Sequence, residues 1–336
     1  MPPEITVISP FFNRADRIQR SLDSLKSQTF DSFKAIIIDD GSSDNSYEVA
    51  LSHANDKIEV IKQENRGFTQ TMISACNSVQ SEFIAVHGSG DESLPLRLQM
   101  QYEFLKKNPN VVAVGCGIQN IDEITGKTWD VIPQQTIRKG PINGDFSISH
   151  GEVMFRADAY RKAGGYRSHF RVGQASDLFR RMSRIGDFGY VSDILYRRYL
   201  ALDGVNSNIN NIIQREILSA ISKDAHIAAI ESNGNNNYSK DSLDKYGILY
   251  PYLSSPSRNM AQTLASASIK SWYGNNRQQA LRLARLAIAE KLTSKAAAAL
   301  IISTIGIDAM RKPLLPVVRK LTKGNDENDI DRLSGK

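Results

Sequence analysis

The first 117 residues alternate short apolar runs with amphipathic stretches, and this rhythm constrains the fold more than any other feature of the chain. Glu4–Ser9, Phe33–Ile38, Lys57–Lys62, Phe83–His87 and Val111–Gly117 read as buried strands. Between them, Ile18–Ser27, Asn45–Ser52, Phe68–Val79 and Leu96–Lys107 read as helices, the first with Ile18, Leu22 and Leu25 on one face. Strands joined by helices of this length imply βαβ units and a mainly parallel sheet. Ligands of such sheets bind beyond the carboxyl ends of the strands. The segments to read for chemistry are therefore Pro10–Arg14, Asp39–Asp44, Gln63–Gly67 and Gly88–Glu92.

The alternation then loosens. Residues 118–148 read as loops with short strands, followed by a strand at Glu152–Phe155, helices at Ala157–Ala163 and Leu178–Ile185, and extended segments at Asp187–Val191 and Ile194–Tyr199. Beyond 206–210 the pattern is helical, at Asn210–Ile230, Met260–Trp272, Arg277–Glu290 and Lys295–Met310. The 336 residues suit two domains, expected at 1–206 and 207–336, the first divided into halves at 117/118. A composition of 41% hydrophobic and 23% charged residues excludes wholesale disorder.

The two cysteines, Cys76 and Cys116, exclude a disulfide framework and a four-cysteine zinc site; they read as buried thiols of a reducing compartment. Met1–Pro10 has no secretory character, and the longest apolar run, Ala296–Ile307, falls short of the roughly twenty residues of a membrane span. A cytoplasmic protein is expected. The net charge of +6 favours anionic partners. The basic residues are scattered or lie in the tail, without the aromatic-basic signature of an RNA-binding sheet, so nucleic acid is not an expected partner. Met310–Lys323 carries Arg311, Lys312, Arg319, Lys320 and Lys323 with no acid, interleaved with Leu314, Leu315, Val317, Val318 and Leu321. Such a segment suits the inner face of an anionic membrane, and equally the solvated edge of a packed helix.

Asp39 and Asp40 end the second strand, where paired carboxylates can accept hydrogen bonds from a base and a ribose. Asn13 and Arg14 after the first strand, and Arg66 after the third, are candidates for nucleotide or phosphate contacts. His87 and His150 adjoin these loops without metal-ligand spacing. Trp129 and Phe170 could stack on a sugar ring or simply be loop aromatics.

In this order the pieces VISPFFNR (7–14), KAIIIDDGSSDNS (34–46), ENRGFTQTMISACNSVQSEFIAV (64–86), LPLRLQMQ (94–101), HGEVMFR (150–156), GGYR (164–167) and DLFRRM (177–182) resemble family 2 glycosyltransferases. The resemblance covers roughly residues 4–205. It implies a GT-A, Rossmann-like α/β fold, with a mainly parallel sheet flanked by helices, to which this chain adds a C-terminal helical region. The implied activity is inverting transfer of a sugar from a nucleotide-diphospho-sugar donor to a saccharide or lipid-linked acceptor hydroxyl. By this resemblance Asp39 and Asp40 meet the base and ribose, and Pro10, Phe11, Asn13, Arg14 and Arg66 complete the donor pocket.

Two departures stand out. The family holds Mg²⁺ or Mn²⁺ with an acidic cluster after the fourth strand. This chain reads HGSGDES at 87–93, with Gly88 and Gly90 at the first two acidic positions and Asp91 and Glu92 remaining. Either Asp91, with or without Glu92, binds the metal-diphosphate, or cations such as Arg66 take over, or the site is impaired. The family's base is an acid pair before an Asp-Leu helix; here Gln174 and Ala175 occupy it. Asp177 is the only carboxylate between Asp158 and Asp187, so it is the candidate base, or else a cap for the helix that follows. A degenerate protein that binds nucleotide sugar without turnover is the alternative reading.

Overall fold

The computed structural model describes residues 2–123, 126–142, 148–200, most of 218–231, 258–273 and 276–304. The chain divides into two compact units, Met1–Leu202 and Asp203–Lys336.

The first unit opens with β1 (Ile5–Phe11), α1 (Ile18–Lys26), β2 (Phe33–Asp40), α2 (Ser46–Leu51), β3 (Ile58–Gln63), α3 (Phe68–Ser78) and β4 (Phe83–Val86). β5 (Glu92–Ser93), α4 (Arg97–Lys107), β6 (Val111–Asp122), β7 (Thr128–Val131), β8 (Ile137–Arg138) and β9 (Met154–Arg156) follow. α5 (Ala157–Lys162), α6 (Gln174–Met182) and β10 (Asp187–Leu200) complete it. The sheet order is β3-β2-β1-β4-β9-β6-β10-β5, with β7 beside β6 and β8 beside β10. β3, β2, β1 and β4 are parallel, β9 runs against β4 and β6, and β10 is parallel to β6. The expected α/β, mainly parallel sheet flanked by helices is thus present.

The middle of the sheet is covered on both faces, which is why β1 and β4 are buried along their whole length. In β1, Ile5 and Val7 pack with Ile18, Leu22 and Leu25 of α1 in one cluster. Ile8 points the other way, into a cluster with Met72, Ala75 and Cys76 of α3 and Leu178, Phe179 and Met182 of α6. Each fully buried aliphatic side chain contributes about 1.5–3 kcal/mol, so these helices are held by faces rather than by caps. Both cysteines are buried, and burial raises their thiol pKa values.

The expected irregular stretch after 117 contains β7 and β8, and β6 runs five residues past its expected end. α6 begins at Gln174 rather than Leu178, which places Asp177 inside its first turn.

In the second unit, 218–231 is helical where described, and helices span Arg258–Tyr273, Arg277–Glu290 and Ser294–Thr304. Buried Ala265, Ala280, Ala284 and Ala299 permit close packing, and the Ser268 hydroxyl donates to the Ala280 carbonyl at 2.7 Å. No helix among the described residues is long and apolar enough to cross a membrane. The basic segment 310–323 lies outside the described residues.

Candidate active site

Three loops meet at the carboxyl ends of β1, β2 and β3. Asn13, at φ 50°, donates its backbone N–H to Ser42 Oγ at 2.9 Å and accepts from Ser43 N at 2.9 Å. Arg14 N donates to Ser46 Oγ at 2.6 Å. Asn13 and the Asp39–Ser43 turn therefore form one rigid wall. Pro10 is buried, and Phe11 is 2% exposed in the core, because strand alternation turns that ring inward. This corrects the expectation that Phe11 lines the pocket. The exposed aromatic is its neighbour Phe12, at 46%, which the sequence reading missed.

Asp39 and Asp40 are adjacent on β2 and have different surroundings. Asp39 is fully buried; its Oδ1 accepts from Ser42 N at 2.9 Å, and its Oδ2 has no hydrogen-bond partner. Asp40 is 4% exposed and its carboxylate is fully engaged. Oδ1 accepts from Gln63 Nε2 at 2.7 Å, Arg66 N at 2.9 Å and Thr71 Oγ1 at 3.1 Å, and Oδ2 accepts from Gly67 N at 2.9 Å. Asp40 thus pins the Arg66–Gly67 loop and the start of α3. The Arg66 side chain is exposed on that loop.

The loop after β4 is held from α1. Arg20 donates to the Gly90 carbonyl from Nε at 2.8 Å and Nη2 at 2.5 Å, and Gly90 N donates to Ser21 Oγ at 2.6 Å. Asp91 accepts from Tyr196 Oη at 2.9 Å on Oδ2 and from Tyr199 N at 2.9 Å on Oδ1. Burial pushes its carboxyl up to about 6. Glu92 accepts from Tyr199 Oη at 3.0 Å and pairs with Arg197 at 3.2 Å. Buried His87 shares Ser93 Oγ with Arg97, and burial lowers its pKa to about 3.

A divalent cation fits this loop poorly. At Gly88 a Cβ would stand 2.4 Å from Asp91 Oδ2 and 3.0 Å from Tyr196 Oη. Gly90 sits at φ +101°, where a Cβ would face Arg17 at 3.4 Å and Arg20 Nη2 at 3.9 Å. Both glycines are thus required by the loop's own geometry, and acids could not be restored there without moving it. No group of three or more His, Cys, Asp or Glu side chains among the described residues is placed to hold a metal. The expectation of Mg²⁺ or Mn²⁺ on Asp91 finds no supporting ligand set.

Asp177 also has a different task from the one expected. It is 2% exposed; its Oδ2 accepts from Arg181 at 2.6 and 3.1 Å, and Arg167 lies 3.7 Å from Oδ1. A carboxylate so enclosed ties α6 to the preceding loop and offers no oxygen to an acceptor hydroxyl. Phe170 is 2% exposed, hence a core ring, while Trp129 lies half-buried on β7. Nearby, His150 Nε2 meets Tyr166 Oη at 2.6 Å and its ring stands edge-on to the exposed Phe68.

A parallel β3-β2-β1-β4 half with its loops converging at the carboxyl ends, joined to a mixed β9-β6-β10 half, is the GT-A architecture. Solved structures share it: S. aureus TarS 1-349 in complex with UDP has a TM-score of 0.57 at 14% identity, covering 90% of this chain and 92% of that one. The mannosyltransferase PcManGT from Pyrobaculum calidifontis, in complex with GDP-Man and Mn²⁺, gives 0.53 at 16% identity, covering 100% and 86%. Residues 6–164, just under half of the chain, match the glycosyl transferase family 2 model. EpsE of Bacillus subtilis (strain 168) is 29% identical over 202 residues, which are 58% of this chain and 72% of EpsE. The chondroitin synthase of Pasteurella multocida (strain Pm70) is 23% identical over 253 residues, 72% of this chain but only 25% of that protein.

Proposed function

We propose that this glycosyltransferase takes its sugar from a nucleotide-diphospho-sugar and transfers it, with inversion, to a hydroxyl of a saccharide or lipid-linked saccharide. One observation carries the donor assignment: the unpartnered Oδ2 of buried Asp39 beside the Asn13–Ser42 wall. A buried carboxylate oxygen without a donor is costly, and the imide N–H of uracil or the N1–H of guanine supplies one. Asp40 supports this pocket indirectly, by fixing the loop that carries Arg66. In the transfer, the acceptor oxygen bonds to the anomeric carbon as the bond to the β-phosphate oxygen breaks with its electron pair. The acceptor proton passes to a base. Nucleotide sugars accord with the bound UDP-GlcNAc of a second TarS structure and the GDP-Man of PcManGT, and polymer synthesis with the chondroitin synthase relative.

The test is donor hydrolysis by the full chain with a panel of UDP- and GDP-sugars, and NMR of the anomeric configuration of any transfer product. Slow, saturable nucleotide release that Asp39→Asn weakens at the binding step supports the reading. Release from no donor, with no nucleoside diphosphate bound, supports instead a degenerate family member. A lipid-linked acceptor at an anionic surface accords with the basic segment 310–323 of the sequence.

A further inference from the structure

The sheet order places the loop after β4 on the side of the nucleoside wall away from β3, toward β10. A diphosphate leaving the Asp39 pocket in that direction meets Gly88–Asp91, where the described residues offer no cluster of acids to hold a bridging cation. It does have arginines. Arg20 is engaged by the Gly90 carbonyl, by Glu123 at 3.0 Å and by the Tyr199 ring at 3.4 Å. Arg17 pairs with Glu123 at 3.4 Å and Asp16 at 3.2 Å.

Arg198 differs. It lies on β10, two residues from the Tyr196 whose hydroxyl bridges Gly88 N and Asp91 Oδ2 at 2.9 Å each, so both side chains share one face of the strand. Its Nε donates to Asn120 Oδ1 at 2.8 Å, which fixes the plane of the guanidinium. Its two terminal nitrogens make no hydrogen bond within the described residues, and the group is half-buried. Its charge reaches both Asp91 and Glu152, lowering the pKa of each against the dominant effect of burial. A planar fork with open N–H donors, anchored from behind, matches two phosphate oxygens.

We propose that Arg198 binds the donor's diphosphate in the place that a divalent cation takes elsewhere in the family, so that this chain binds nucleoside diphosphates without a metal. The proposal rests on the donor reading above. Asp91 then acts through Tyr196 and the Tyr199 backbone to hold the loop, and not as a metal ligand.

The experiment is calorimetric titration of the full chain with UDP and GDP, in EDTA and in Mn²⁺. Uridine and guanosine, which lack phosphate, are followed by saturation-transfer NMR. The same measurements are made on Arg198→Gln, Arg198→Lys and Asp39→Asn, each checked for an unchanged thermal midpoint without ligand. The expected result is equal affinity in EDTA and Mn²⁺ for the diphosphate that binds. Arg198→Gln should weaken that diphosphate by about tenfold or more, the scale of a hydrogen bond between charged groups, while leaving its nucleoside unchanged. Arg198→Lys should fall between, and Asp39→Asn should weaken nucleoside and diphosphate alike. A tenfold gain on adding Mn²⁺, or parental affinity in Arg198→Gln, overturns the role of Arg198 and leaves the donor site standing. Failure of the parent to bind any of the four probes overturns both.

Discussion

Asp39 and Asp40 are chemically identical neighbours, so exchanging each one separates a group that holds the fold from one that awaits a ligand. Asp40→Ala removes the acceptor for two backbone N–H groups and two side-chain donors. Hydrogen bonds to a charged group are worth about 1.5–3 kcal/mol each. Because the Arg66 and Gly67 amides lie on an exposed loop and can recover water, we count two bonds at the low end, a loss of about 3 kcal/mol. For a unit of this size that lowers the midpoint by about 6–12 °C. Asp39→Asn keeps the bond from Ser42 N and places an amide where an oxygen already had no partner. Its cost to the fold should stay below about 1 kcal/mol, while nucleotide affinity falls about tenfold, since an NH₂ cannot accept from a base N–H. Scanning calorimetry with and without UDP or GDP reads both effects. An Asp40→Ala chain melting at the parental temperature, or an Asp39→Asn chain destabilised equally, refutes the division of labour.

Three further outcomes are expected. Gly88→Asp and Gly90→Asp should each lower stability, the latter by about 1–3 kcal/mol for a non-glycine at positive φ, and neither should confer Mn²⁺ binding; urea titration and calorimetry read the two effects. Asp177→Ala should destabilise the first unit by about 3–5 kcal/mol, because it leaves Arg181 and Arg167 without their buried anion; a stable variant in urea, impaired only in turnover, would restore Asp177 as the base. Burial raises the Asp91 carboxyl from 3.8 to about 6, so the folded state holds that proton more tightly than the unfolded chain and stability falls as pH rises through this window. Relative to Asp91→Asn, the parent should lose about 3 kcal/mol between pH 3 and pH 7, most of it between pH 4 and pH 6; an unchanged difference in urea midpoints contradicts this.

The alternating half of the fold was legible because each of its helices and strands buries a continuous face, and burial writes itself into spacing. The loops that bear the site followed, since a parallel sheet dictates where they lie. Which member of each pair does the work was less plain. Phe11 and Phe12, like Asp39 and Asp40, are consecutive at the end of a strand and so must point to opposite sides. That alternation was available in the sequence, but its phase depends on where the strand ends. Tyr196 and Asp91 are a different case. They meet across 105 residues through the pairing of β10 with β5, a strand of only two residues with no periodicity to detect. Arg198 escaped notice for the same reason.

The chemistry of the site follows from how its acids are satisfied. Asp40 is saturated by backbone and side-chain donors, Asp91 holds two tyrosines, and Asp177 is enclosed by two arginines. Each of these carboxylates therefore holds a loop, and its oxygens are already engaged by the protein. Asp39 keeps one buried oxygen without a donor, and Arg198 keeps donors without an acceptor among the described residues. A ligand that completes both must bring an N–H at one end and anionic oxygens at the other. A bare cation brings neither, and a neutral saccharide lacks the anionic end. A nucleoside diphosphate brings both in one molecule.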